Sequence, residues 1–266
     1  MIGAIIGDIV GSRFEFNNYR AKDFELFTGD CFFTDDSIMS LAIGKALLEA
    51  QGESDATLEA KTIHYMQLIG RPYPHCGYGG RFYDWMYTDN PKPYNSFGNG
   101  AAMRVSACAY VAQSLEQALH FSDIVTAVSH NHEEGLKGAR ATTAAIYMAL
   151  QGASMAEIKE HIVNNYYALD FTIDEIRESY YFNETCQETV PQALEAFFES
   201  SSFEDALRIA ISVGGDSDTL AAITCSVAEA FYGVPQVIRT QAESYLDDRL
   251  LTVLRDFESQ YPSKEW

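Results

Sequence analysis

Apolar residues recur every three or four positions over most of this chain, the spacing of one helix face. In 34–51 (TDDSIMSLAIGKALLEAQ), Ile38, Leu41, Ala42 and Leu48 fall on one side. Asp35 and Asp36 stand where a first helical turn favours acids. The same pattern predicts helices over 99–113, 115–129, 132–151, 154–165, 185–200, 203–213, 216–232 and 240–258. Ser154 followed by Glu157 predicts a capping box, and Pro191 sits near the start of the 185–200 helix. Glycines 3, 7 and 11 recur every four residues, so one face of a helix there is bare and a second backbone can approach it closely. No sustained alternation bounded by tight-turn pairs marks a strand. The expected class is all-α, with about ten or more helices.

Two stretches break the periodicity. Residues 70–98 are rich in glycine, proline and aromatics, and 164–184 in tyrosine. Both are too apolar for linkers. There is no composition shift and no internal repeat, so a single domain over 1–266 is expected. Hydrophobic residues make up 47% and charged residues 21%, an ordinary globular mixture. The 38 acids against 18 bases give a formal charge of −20. That balance excludes general nucleic-acid or anionic-membrane binding, which needs a basic face. One nucleotide in a pocket stays possible where backbone N–H groups or metal ions supply positive charge. The five cysteines are widely spaced without a CxxC pair, which fits a reducing cytoplasm. The opening MIGAIIGDIVGSRFEF lacks a basic leader, and no apolar run approaches the ~18 residues that span a bilayer.

Two acidic corners carry candidate chemistry. Thr34-Asp35-Asp36 opens one helix, and Gly214-Gly215-Asp216-Ser217-Asp218-Thr219 opens another. Each gives two carboxylates and a hydroxyl within a turn, the oxygen donors that Mg²⁺ and Mn²⁺ prefer. Each alone reads more readily as an N-cap. Together they repel one another unless something positive is bound. A third segment, SFGNGAAMR over 96–104, places small residues before a helix start, where N–H groups face an anion. It is neither a Walker loop nor a dinucleotide fingerprint. Glu15 lies two turns beyond Asp8, and His130 and His132 form no zinc spacing.

In this order, GDIVGSRFEF, FTDDSIMSLAI, SFGNGAAMRVS, SHNHEEGLKGARA and VGGDSDTLAAI resemble the ADP-ribosylglycohydrolase family over residues 2–234. The resemblance implies an orthogonally packed all-α fold with a central metal-binding cleft. It implies two divalent cations, Mg²⁺ or Mn²⁺, held by Thr34, Asp35, Asp36, Asp216, Asp218 and Thr219. It sets Ser96, Gly98, Asn99 and Gly100 around the diphosphate of ADP-ribose, Phe97 on the adenine and His130 near the phosphates. Gly215 and Ser217 are counted with the substrate contacts. Glu15, Asp35 and Asp36 are the implied catalytic carboxylates.

The reaction so implied cleaves the ribose C1″ bond of an ADP-ribosylated protein or small molecule, with arginine favoured, through an oxocarbenium-like transition state. A cytoplasmic monomer is expected. His130 is followed by Asn-His-Glu-Glu, where many relatives place a proline or small apolar residue, and Ser217 replaces a common threonine. Acceptor specificity is expected in 71–97 and 164–184. One rival, a Mg²⁺-dependent diphosphate lyase, wants an acid three residues after the Asp pair, where Met39 stands. Another is a non-catalytic ADP-ribose reader or structural protein on the same fold, which has no need of a self-repelling acidic cluster.

Overall fold

The periodic segments are helical in the computed structural model, which describes residues 1–263. The helices are α1 (Ile2–Gly11), α2 (Asp35–Glu49), α3 (Asp55–Gly70), α4 (Gly80–Tyr87), α5 (Gly100–Met103), α6 (Ser106–Val111), α7 (Leu115–Ala127) and α8 (Glu133–Leu150). They continue as α9 (Met155–Asn165), α10 (Ile173–Ile176), α11 (Cys186–Phe198), α12 (Phe203–Val213), α13 (Ser217–Tyr232), α14 (Gln236–Glu243) and α15 (Asp248–Glu258). A 3-10 turn, Ser12–Phe14, extends α1. Among the described residues there is no strand, only an isolated bridge between Gly98 and Thr185. The all-α class holds.

Two helices form the axis of the molecule. Every residue of α1 is buried, as is α13 from Ser217 to Ala230. A helix apolar all round belongs in a core. Glycines 3, 7 and 11 let these two run backbone against backbone. A Cβ on Gly7 would lie 2.2 Å from the Ala221 carbonyl oxygen, and one on Gly3 2.3 Å from that of Cys225. Around the axis, α8, α11 and α12 pack on α13, while α2 packs on α1 and carries α3 and α15 on its outer side.

The pattern needs correction in five places. The helix α3, capped by Ser54, stands over 55–70, where the pattern predicts none. The helix expected over 99–113 is two pieces, broken at Arg104 and Val105. The helix expected over 240–258 is α14 and α15. The break falls before Asp247, whose carboxylate caps α15 by accepting from Leu250 N–H at 2.9 Å. The stretch 70–98 contains α4, which buries Phe82, Trp85 and Met86 at i, i+3 and i+4. Its aromatics are helix-face residues, so their helical period is masked by the surrounding glycines and prolines. The tyrosine-rich 164–184 holds the single turn α10, fixed by a Thr172–Glu175 capping box. The Ser154–Glu157 box is present as expected.

Candidate active site

Asp8 is the only acid in α1 and is fully buried. Its carboxylate accepts from Thr34 N–H at 2.9 Å, Thr34 Oγ1 at 2.6 Å and Ser37 N–H at 3.0 Å, and also from Ser37 Oγ. These bonds fasten the N-terminus of α2 to α1. Thr34 is the α2 N-cap and accepts from Asp36 N–H at 3.3 Å. Asp35 N–H donates to the Cys76 carbonyl at 2.7 Å, which brings 70–98 over the same corner.

The second corner is made by a reversal of the backbone. Gly214 and Gly215 have φ of +79° and +71°, values that L side chains rarely adopt. They turn the chain out of α12 and into α13. Asn18 clamps the turn from both sides: Nδ2 donates to Gly215 O and Gly215 N–H donates to Oδ1, each at 2.8 Å. The same Nδ2 reaches the carbonyls of Phe14 and Glu15. Glu15, at the end of the 3-10 turn, is thereby tied to the corner that presents Asp216 and Asp218.

The two corners meet. One carboxylate oxygen from each of Asp8, Asp36 and Asp218 lies within 4.8 Å of the others, as do those of Glu15, Asp216 and Asp218. Thr219 Oγ1 donates to Asp36 Oδ2 at 3.2 Å across the junction, while Asp36 Oδ1 is buried with no partner. No lysine, arginine or histidine among the described residues forms an ion pair with any of these acids.

Burial pushes Glu15 up to about 8, helped by the charges of Asp218, Asp8 and Glu184. It raises Asp8 to about 6 against its four hydrogen bonds, and Asp216 to about 6 against those from Asp218 and Asn99. Asp35 and Asp36 are raised by burial and then by the charge of Asp218, and Asp218 by burial and then by that of Asp216. Buried carboxylates this close are expensive unless protonated or bound to cations. An orphaned oxygen in an all-oxygen donor set fits hard divalent ions such as Mg²⁺ or Mn²⁺.

The glycine loop forms the next stretch of wall. Asn99 Nδ2 donates to Asp216 Oδ2 at 2.7 Å, joining loop to acids. The loop's N–H groups are less free than the sequence suggests. Gly98 N–H donates to Ser96 Oγ at 3.2 Å and Asn99 N–H to the Glu184 carbonyl at 2.8 Å. The helix that follows, α5, has only four residues. His130 Nε2 instead points at the loop, 3.5 Å and 3.4 Å from where Cβ atoms on Gly98 and Gly100 would stand.

One cleft gathers Glu15, Asp35, Asp36, Ser96, Gly98, Asn99, Gly100, His130, Asp216, Asp218 and Thr219. Four sequence candidates stand off its wall. Thr34 lies behind it on Asp8. Ser217 is buried against the Phe14 and Gly215 carbonyls. Gly215 faces Tyr180, and exposed Phe97 packs on His132 with ring centroids 5.1 Å apart. Sequence reasoning missed Asp8 as part of the cluster, missed Asn18 altogether, and gave Arg104 no role of its own within the 96–104 segment. A lone acid inside an apolar helix was the available signal for Asp8. Both irregular stretches do reach the cleft, through Arg81, Phe82 and Tyr94 and through Phe182 and Glu184.

The family model described as ADP-ribosylglycohydrolase matches residues 1–262. The chain belongs to the ADP-ribosylglycohydrolase family. Within it, the chain is 27% identical over 272 residues to ADP-ribosylarginine hydrolase Tri1 of Pseudomonas putida, covering 88% of this chain and 70% of that protein. It is 23% identical to human ADP-ribosylhydrolase ARH3, covering 92% and 87%. It is 26% identical to the ADP-ribosyl-dinitrogen reductase glycohydrolase of Rhodospirillum rubrum, covering 89% and 85%. A solved structure titled ADP-ribosylglycohydrolase-related protein complex shares the fold, with a TM-score of 0.69 over 98% of this chain and 95% of that one at 18% identity.

Proposed function

We propose that this chain is a divalent-cation-dependent hydrolase that cleaves the ribose C1″ bond of ADP-ribosylated acceptors, with arginine side chains favoured. It acts as a single-domain cytoplasmic monomer. The observation that carries the reading is the junction of two acidic corners, with Asp36 Oδ1 buried and unpartnered, in the wall that also holds the glycine loop and His130. The names of the ADP-ribosylarginine hydrolase relatives favour arginine.

Thr34, Asp35, Asp36, Asp216, Asp218 and Thr219 would hold two cations, Mg²⁺ or Mn²⁺, with Asp8 supporting the first corner. Bound there, such ions would offset the clustered charge and polarise ribose hydroxyls and a water. Glu15 stands at the edge of the cluster with its carboxyl raised towards neutrality, suited to exchange a proton with the leaving group or the attacking water. Ser96, Gly98, Asn99, Gly100 and His130 would cradle the diphosphate, with Gly215 and Ser217 shaping the turn beside it. Phe97 would reach the adenine from the rim. All five cysteines are free, which suits a reducing compartment. No helix among the described residues is long and apolar enough to cross a membrane.

The test is ADP-ribose release from arginine-linked, serine-linked and small-molecule conjugates in Mg²⁺, in Mn²⁺ and in EDTA. Release from the arginine-linked conjugate that stops in EDTA is expected. Full release in EDTA would overturn the cation requirement. Release from the serine-linked conjugate alone would overturn the acceptor. Binding of ADP-ribose with no release from any conjugate would favour a reader.

A further inference from the structure

Arg104 closes α5 and is fully buried, at 0% exposure. A buried guanidinium is costly unless paired, and no carboxylate lies in ion-pair contact with it among the described residues. Its Nη2 donates to Ser129 Oγ at 2.8 Å and approaches His130 Nδ1 at 3.4 Å, both neutral groups. Its Nε has no partner at all. Nevertheless it lies in the cleft wall, beneath His130 and over the Phe82 ring at 5.5 Å.

The arrangement fixes where the imidazole proton sits. Arginine has donors and no acceptor, so a group facing Nη2 must accept. Ser129 Oγ already accepts from Arg104, which leaves its hydroxyl proton free for His130 Nδ1 at 2.8 Å. Two donors therefore converge on Nδ1, and the ring's own proton belongs on Nε2. Nε2 is the nitrogen aimed at Gly98 and Gly100. Two of the loop's N–H groups are already bonded, so an anion held there gains most from His130 and from the positive charge behind it.

We propose that Arg104 is a positioning residue: with Ser129 it locks His130 as an Nε2–H donor, and its unpaired charge makes the glycine cradle a site for an anionic diphosphate. The anion's identity rests on the ADP-ribose reading; the tautomer does not. Burial and the adjacent guanidinium also hold His130 well below its usual value, so it donates as a neutral ring.

The experiment is ¹⁵N-histidine NMR on the whole protein in Mg²⁺ at pH 7, with ADP-ribose binding by calorimetry, for the wild type, Arg104→Met, Arg104→Lys and Ser129→Ala. The wild type should show a neutral His130 protonated on Nε2. Arg104→Met should weaken ADP-ribose binding by 10-fold or more, and Arg104→Lys should recover most of it. Ser129→Ala, the milder change should Arg104→Met fail to fold, should admit the Nδ1–H form. A wild-type proton on Nδ1 overturns the proposal. So do variants that bind within twofold of wild type with an unaltered His130 spectrum, and so does a wild type that binds no ADP-ribose. Binding and tautomer as stated, with no ADP-ribose released from any conjugate, would sink the hydrolase reading and still support this role for Arg104.

Discussion

Glu15 and Gly98 separate chemistry from binding. Glu15 lies on the acidic cluster but outside the glycine loop, and its carboxyl is raised by burial to about 8. Glu15→Gln keeps the shape and removes the exchangeable proton. Turnover should fall by about 10²–10⁴-fold, the usual scale of general acid–base catalysis, with ADP-ribose affinity within about threefold. A variant that lost affinity instead would make Glu15 a binding group. Gly98 predicts the converse. A Cβ there would stand 3.3 Å from Ser96 Oγ and 3.5 Å from His130 Nε2, tight but tolerable for the protein itself. Gly98→Ala should therefore melt within a few degrees of wild type while KM rises about tenfold, because the methyl occupies the cradle. Much of this was legible residue by residue: the two acidic corners stand in the sequence as helix-opening acids, and the structure brings them together. Asp8 was hidden because a single acid in IGAIIGDIVG has no partner in sequence; Thr34 and Ser37, which make its burial tolerable, lie 26 and 29 residues on. Arg104 was hidden for the same reason, since Ser129 and His130 reach it only through the fold.

Among elements, the α1–α13 contact sets the geometry of the acids. Asp8 rides on α1 and Asp218 on the first turn of α13, so the spacing of these helices is the spacing of the cluster. Gly7→Ala would put a methyl 2.2 Å from the Ala221 carbonyl oxygen, a backbone atom that cannot rotate away. The helices must part, and we expect a loss of about 3 kcal/mol or more, in the range of strongly overpacked cores, together with weakened cation binding. Gly29→Ala, where a Cβ meets nothing within 4 Å, is the control and should be near neutral. Urea unfolding at constant slope reads both. An unchanged midpoint for Gly7→Ala would mean the helices are not held at this distance. Helix periodicity showed that such elements exist; it could not show their breaks. The apolar spacing runs on through 99–113 and 240–258, and the interruptions come from a buried guanidinium at Arg104 and a capping carboxylate at Asp247.

For the molecule as a whole, the acidic cluster makes stability depend on pH and cations together. A carboxyl raised on folding binds more protons folded than unfolded. Its stabilising contribution is present below its unfolded value near 4 and is lost as pH rises through the folded one. Asp8 and Asp216 near 6 and Glu15 near 8 act in this sense, as do Asp35, Asp36 and Asp218. His130, lowered on folding, acts oppositely as pH rises through about 6.5. Above neutrality the carboxylates govern. In EDTA the melting temperature should fall between about pH 7 and 9, and Mg²⁺ should recover most of the loss. A chelated protein that grew more stable over that interval would contradict the raised carboxyls. The formal charge of −20 adds self-repulsion in the same direction.

The pairing of α1 with α13 also bears on how the molecule is made. Asp8 and Asp218 stand at opposite ends of the chain in order of synthesis, and the bare glycine face of α1 finds its partner only when α13 has left the ribosome. Until then the face of this almost wholly apolar segment that α13 covers stays open, and contacts this remote in sequence are slow to form. Nascent chains halted before α13 should therefore be chaperone-bound and prone to aggregate. The cation site would be among the last features of the molecule to exist, so no partly made chain could act on a substrate.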